Sequence, residues 1–129
     1  MSYTSSPEAR RDTLDGMLSA LGPGSSLTCY EGARPENPRA DNDSLQIVRF
    51  DLQGFARADS NGSAAILGTP VEARATAIGK LQWFRLARPD GLGHLDGEIG
   101  PGKEFDPGVT EITAVGQIVR IDGGAIRIA

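Results

Sequence analysis

The sequence is poor in the residue types that usually carry chemistry. Its 129 residues include one cysteine, one histidine and one tryptophan, and aromatic residues make up 5%. The lone cysteine, Cys29, excludes an internal disulfide framework. As a nucleophile it would have only His94 as a histidine partner. Because Cys29 lies within Leu-Thr-Cys-Tyr-Glu, we interpret it as a small hydrophobic residue of a β-strand.

Long apolar runs and an excess of basic residues are also missing. No stretch of about 18 apolar residues occurs, so we predict no membrane partner. The first residues are polar and lack the hydrophobic region of a signal peptide, which predicts synthesis in the cytoplasm. The formal net charge is −4, and binding to nucleic-acid phosphates requires a basic face. We therefore expect no nucleic-acid partner and interpret Arg10-Arg11 as part of a solvated helix face.

The N-terminal part, residues 1–26, is predicted to be an arm followed by one amphipathic helix. Ser6-Pro7 is typical of a helix start, since serine caps free amides and proline suits the first helical position. Gly22-Pro23-Gly24 should end the helix. One apolar stripe runs along it, formed by Leu14, Met17, Leu18 and Leu21. This stripe must cover either the chain's own sheet, which we favour, or a neighbouring subunit.

Residues 27–129 have β character and are predicted to form one domain of about eight short strands. The predicted extended segments are Leu27–Glu31, Ser44–Leu52, Ala64–Gly68, Pro70–Ala77, Lys80–Arg88, His94–Glu98, Val109–Thr113, Gln117–Ile121 and Ala125–Ile128. Pro70–Ala77 is ambiguous between an extended segment and a turn of helix. Asp122-Gly123-Gly124 is typical of a hairpin turn. The pattern predicts a mainly β fold, a β-sandwich or jelly-roll-like barrel, with one N-terminal helix.

The stretch Gly79–Gly97 is the expected centre of the domain. Its first strand has apolar residues on both parities, with Trp83 on one and Phe84 on the other. A strand with one wet face would show one-sided alternation, so we predict a central strand that is covered on both sides. Pro89-Asp90-Gly91 has the chemistry of a turn, and His94–Glu98 is the predicted return strand.

Three side chains in this hairpin could carry chemistry: Asp90, His94 and Asp96. A metal site or an acid–base pair is conceivable from their types. However, Asp90 is the expected aspartate of the turn, and Asp96 precedes Gly97 in what we interpret as a second turn. One histidine also makes a poor zinc ligand set. We therefore favour structural roles for all three residues.

Other site motifs are incomplete. Asp41-Asn42-Asp43 and Asp59-Ser60-Asn61-Gly62 are similar to fragments of calcium loops, but the twelfth positions hold Leu52 and Pro70 instead of glutamate. We interpret both fragments as turns. The motifs GxxxxGK[ST], GxSxG and HExxH do not occur. We predict no catalytic, cofactor-binding or metal-binding residue, and a protein that is not an enzyme.

The order of short motifs resembles that of small proteins encoded among the structural genes of tailed bacteriophages and prophages. The matching motifs are Tyr30 with Gly32, Trp83-Phe84-Arg85, Asp90-Gly91, Asp96-Gly97 with Gly100, and Gly116 with Val119. The resemblance extends from Leu27 to the C-terminus. It implies a β-sandwich in a virion structural protein, most similar to a capsid decoration (cement) protein, with no catalytic residues.

The resemblance implies that the chain binds the outer surface of a capsid, with the major capsid protein as partner, and forms a dimer or trimer. Phe55, Leu92 and Phe105 are apolar residues in predicted loops, so each is either an interface anchor or a loop residue packed on the core. Two alternatives stay open. One is a head–tail connector or tail protein, and the other is a carbohydrate- or ligand-binding β-sandwich with Trp83 as a stacking platform.

Overall fold

The computed structural model describes residues 14–16, 18–19, 21–37, 39, 44–56, 63–121 and 124–127. Within this part, residues 14–16 and 18 are helical and precede the strands. The strands are β1 (Ser25–Glu31), β2 (Leu45–Leu52), β3 (Ser63–Ala65), β4 (Val71–Arg74), β5 (Gly79–Lys80), β6 (Trp83–Ala87), β7 (Gly93–Glu98), β8 (Glu111–Ile112), β9 (Ile118–Ile121) and β10 (Ala125–Arg127). The protein is mainly β, as predicted, and all pairings between these strands are antiparallel.

Four strands form the largest sheet, in the order β2-β1-β6-β7. Strand β1 pairs Leu27 with Phe50 of β2 on one side and with Leu86 of β6 on the other. Strand β6 therefore lies inside the sheet, and its neighbouring residues Trp83 and Phe84 are 1% and 0% exposed. Because successive residues of a strand point to opposite faces, this confirms the predicted central strand that is covered on both sides.

The remaining strands form three two-stranded sheets: β10-β3, β4-β9 and β5-β8. The hairpin predicted at Asp122-Gly123-Gly124 is wrong, because β9 pairs with β4 and β10 pairs with β3. Ile126 lies opposite Ala64, and both side chains are buried. Burial of apolar residues that are distant in sequence therefore decides the pairing, and the local turn signal does not.

The predicted strand Lys80–Arg88 is two strands in the structure. Gly79–Lys80 pairs with β8, whereas Trp83–Ala87 pairs with β1 and β7. Leu81 and Gln82 connect the two sheets, and the Gln82 amide N–H donates to the Tyr30 carbonyl at 2.9 Å. In the ambiguous segment Pro70–Ala77, Val71–Arg74 forms β4, so the prediction of an extended segment is confirmed for these four residues.

One hydrophobic cluster contains inward-facing residues of the sheets together with the N-terminal segment. Leu14, Leu18 and Leu21 are at most 5% exposed and belong to this cluster. The apolar stripe therefore covers the chain's own sheets, as the favoured alternative requires. The helix start at Ser6-Pro7 and the stripe residue Met17 lie outside the described residues. The boundary between residues 26 and 27 stays a prediction.

Candidate functional site

The four-stranded sheet has an inner face on the hydrophobic cluster and an outer face made of three polar cross-strand rows. We define the outer face by these rows, which follow from the pairing registers. They are Gln46–Tyr30–Trp83–Glu98, Arg49–Thr28–Arg85–Asp96 and Asp51–Ser26–Ala87–Gly93. Although polar, Ser26 and Thr28 are only 5% and 7% exposed. The outer face is therefore partly buried and is a candidate for specific contacts.

Trp83 is held on the outer face by three different contacts. Its ring stacks on Tyr30, with centroids 4.4 Å apart. Its indole Nε1–H donates to Ser44 Oγ at 3.1 Å, and the Arg85 guanidinium lies 5.4 Å from the ring centroid. A side chain that is 1% exposed offers no ring face to a sugar. This position disfavours the predicted alternative of an exposed stacking platform.

Arg85 and Asp96 form a nearly buried bidentate ion pair. Arg85 Nε and Nη2 donate to the two carboxylate oxygens of Asp96 at 2.8 Å and 3.1 Å. The side chains are 13% and 5% exposed. Each charged group is hydrogen-bonded by the other, and this pairing offsets part of the free-energy cost of removing the two charges from water. Both carboxylate oxygens of Asp96 are thus engaged by Arg85, which gives Asp96 a structural role.

The second turn predicted at Asp96-Gly97 is wrong, because both residues lie within β7. Gly97 pairs with Phe84. A Cβ atom at position 97 would lie 2.5 Å from Phe84 Cζ. Close approach of the aromatic ring, rather than a turn, therefore explains the glycine.

Asp90 occupies the predicted turn between β6 and β7. Its Oδ1 accepts the Leu92 amide N–H at 3.0 Å, and its carboxylate lies 3.7 Å from Arg88. His94 lies in β7 and is half-buried. Within the described residues, no group of three or more His, Cys, Asp or Glu side chains could hold a metal ion. The two calcium-loop fragments lie outside the described residues.

Cys29 lies in β1 and its side chain belongs to the hydrophobic cluster, with no exposed surface. Burial raises the pKa of the Cys29 thiol far above its usual range, because the charged thiolate is disfavoured where water is excluded. The thiol is therefore neutral at neutral pH and inaccessible to a substrate. This location agrees with the interpretation of Cys29 as a small hydrophobic residue.

Two concavities adjoin the four-stranded sheet. The first, which we call the arginine groove, has a volume of about 260 Å³, lies along the outer face and is lined by Arg49, Arg85 and Arg88. The second has a volume of about 620 Å³ and is lined by both charge signs, including Lys80 and Glu111. His94 is not among the described residues that line either concavity.

Three exposed aliphatic side chains lie at another part of the molecule. We define the apolar rim as Ile78, Val115 and Ile118, which are 56%, 67% and 53% exposed. These are the three most exposed large hydrophobic residues in the described part of the chain. The segments that carry them are joined, since the Gly116 amide N–H donates to the Ala75 carbonyl at 2.8 Å.

The three predicted anchor candidates, Phe55, Leu92 and Phe105, differ in how far their side chains are exposed. Phe105 is completely buried and contacts Phe84 edge-on, with centroids 5.7 Å apart. Phe55 is half-buried and packs against the hydrophobic cluster. Leu92 is 45% exposed. Only Leu92 could therefore serve as an anchor without rearrangement, and the sequence interpretation missed the apolar rim.

Comparison of the chain with family models, curated proteins and solved structures found no match. None of the described helical residues forms a segment that is long and apolar enough to cross a bilayer. The candidate functional surfaces are therefore defined by geometry alone: the arginine groove and the apolar rim.

Proposed function

We propose that this chain is a structural virion protein that binds the outer surface of a phage capsid and stabilises contacts between major capsid subunits. In this proposal it is a decoration (cement) protein, made in the bacterial host and acting as a dimer or trimer on the capsid. The order of motifs from Leu27 to the C-terminus supports the choice of a phage protein. The net charge of −4 favours the capsid exterior, since packaged DNA repels an acidic protein.

The apolar rim is the observation that carries the proposal. Contiguous exposed apolar patches mark interaction sites, whereas singly scattered apolar residues do not. The three residues of the apolar rim are carried by or lie close in sequence to segments that backbone hydrogen bonds join. Ile78, Val115 and Ile118 lie beside a turn that is fixed by backbone hydrogen bonds, including that from Ala75 N–H to Gln117 O at 2.9 Å. A rigid surface loses little conformational entropy when it binds. The apolar rim therefore suits attachment to another protein.

We also propose that the sheets form a β-sandwich or jelly-roll-like barrel. The small sheets β4-β9 and β10-β3 contribute Val119, Ile121 and Ile126 to the hydrophobic cluster that also contains Phe84 of the large sheet. Shared burial of this kind is what two packed layers require. A closed all-β body of this type can add contact area without carrying reactive groups.

Binding to capsid shells that lack the protein tests the proposal. Purified protein should bind these shells in a saturable manner and raise their melting temperature. The variant Val115→Gln/Ile118→Gln should lose most of this binding, because it removes apolar area that is buried only in the complex. Leu67→Gln is the matched control, since Leu67 is 43% exposed and lies outside the apolar rim.

Absence of saturable binding to shells would reject the capsid role. An equal loss of shell binding in the Leu67→Gln control would reject the apolar rim as the binding surface. Electron microscopy of particles that carry labelled protein distinguishes the positions within a virion. Labels over the whole head support a decoration protein. Labels at one vertex only would move the chain to the connector or tail.

A further inference from the structure

The arginine groove contains an uneven distribution of charge. Arg49, Arg85 and Arg88 line it, and within the described part of the chain no aspartate or glutamate does. This is notable in a protein with a formal net charge of −4. The hydroxyl-bearing residues Ser26 and Thr28 line the groove between the arginine-bearing strands. The groove therefore presents guanidinium and hydroxyl hydrogen-bond donors to any group that enters it, and its three positive charges are each partly balanced by an aspartate outside the lining.

We propose that the arginine groove binds a carboxylate group presented by another molecule. A guanidinium has five N–H donors in a planar fork, so it can hold one carboxylate and still donate to a second. Arg49 lies 3.6 Å from Asp51, and Arg88 lies 3.7 Å from Asp90. Both arginine side chains keep at least 40% of their surface exposed. They can therefore reach an added carboxylate without losing these contacts.

The size and charge of the groove select the kind of ligand. Its volume of about 260 Å³ is below the roughly 300–1,000 Å³ of sites that enclose whole small molecules. One acidic side chain, or one small organic acid, fits this space. Because each arginine already has a carboxylate partner in its own chain, the remaining field is weak. A weak field does not offset the larger cost of removing a phosphate dianion from water, so a singly charged carboxylate is the better ligand.

Titration of the purified protein with three probes tests the inference independently of any capsid. The probes are a peptide of four glutamates with blocked ends, succinate and inorganic phosphate, at low ionic strength. Binding is followed by calorimetry and by the emission of Trp83, which stacks on the groove residue Tyr30. We expect saturable binding of the peptide that weakens strongly when salt is added. A failed capsid test would leave this result unchanged.

Matched arginine substitutions locate the site. Arg49→Gln and Arg88→Gln should each weaken peptide binding about fivefold, the upper limit for a partly exposed ion pair. Arg85 is left intact because it holds Asp96. Arg120→Gln is the control, since Arg120 lies 3.7 Å from Glu72 and is 52% exposed, close to the 58% of Arg49, but lies outside the groove.

The outcomes separate the sources of the carboxylate. Tighter binding of the peptide than of succinate assigns the groove to an acidic polypeptide segment, and equal binding assigns it to a free small acid. Both results support the proposal if Arg49→Gln weakens them. Absence of saturable binding, equal weakening in Arg120→Gln, or tighter binding of phosphate than of either carboxylate would overturn it.

Discussion

The two faces of the four-stranded sheet both contain buried side chains, but different interactions hold them. On the inner face, Phe84 and Leu86 have no exposed surface and pack within the hydrophobic cluster. On the outer face, Trp83 is almost as buried, yet it is held by a stacked ring and a directed hydrogen bond. Packing on the inner face depends on volume, whereas burial on the outer face depends on the pairing of polar groups. Burial alone thus does not identify the core.

The largest effect should come from removal of an inner-face ring. Phe84→Ala removes the edge-on contact with Phe105 and leaves a cavity, so we expect a loss of about 3–5 kcal/mol in the free energy of unfolding. Urea unfolding followed by circular dichroism measures it. Phe84→Leu is the control and should lose clearly less. A loss below about 1 kcal/mol for the alanine variant would contradict a volume-dependent inner face.

On the outer face, the strongest test is removal of one member of the buried ion pair. Asp96→Ala takes from Arg85 its bidentate partner, and we expect a loss of about 3 kcal/mol. The double variant Arg85→Leu/Asp96→Leu should be less destabilised, since it buries neither charge. If the double variant loses as much as the sum of Arg85→Leu and Asp96→Leu measured singly in urea unfolding, the pair is not coupled.

A surface ion pair supplies the matched control for this comparison. Arg120 and Glu72 lie 3.7 Å apart with more than half of each side chain exposed. Glu72→Ala should change the free energy of unfolding by less than about 0.5 kcal/mol. A larger change would mean that exposure does not separate the two pairs.

The inner-face thiol should make stability depend on pH. Burial raises the pKa of Cys29 in the folded state, so its contribution is complete below the unfolded-state value and decreases at higher pH. One unit above an unfolded value of about 8.5, we expect a loss of about 1.4 kcal/mol. Unfolding at pH 7.5 and 9.5 measures it. Cys29→Ala should lack this component, and an identical pH dependence in both proteins would exclude it.

A smaller effect on the outer face is expected from the loss of the Ser44 contact. Ser44→Ala leaves the buried indole N–H of Trp83 without the acceptor at 3.1 Å, for a loss of about 1 kcal/mol. Acrylamide should quench the emission of Trp83 weakly in the native protein and more strongly in the variant. Equal quenching would show that this hydrogen bond does not hold the ring.

Much of the sheet could be predicted because its signals are local. The apolar, extended segment that contains β2 and the Pro-Asp-Gly turn between β6 and β7 are properties of consecutive residues, and both predictions are confirmed. The partners of β9 and β10 depend on which distant residues are buried together. A turn signal such as Asp-Gly-Gly does not contain this information, and the predicted hairpin was wrong.

The candidate surfaces were less accessible from the sequence for a similar reason. Arg49 is far from Arg85 and Arg88 along the chain, and only the register of β2, β1 and β6 brings it to the same groove. Asp96 was assigned to a turn because the glycine that follows it is common in turns. Its pairing with Arg85 needed the β6–β7 register. The predicted absence of a metal or catalytic site was based on residue types and stays a prediction.

The contact between Gly97 and the ring of Phe84 has a consequence for sequence divergence. The two positions face each other across β6 and β7, and the ring occupies the space that a Cβ atom at position 97 would need. Substitutions at the two positions should therefore be correlated. In a homologue with alanine or serine in place of this glycine, we expect a smaller side chain where this protein has phenylalanine.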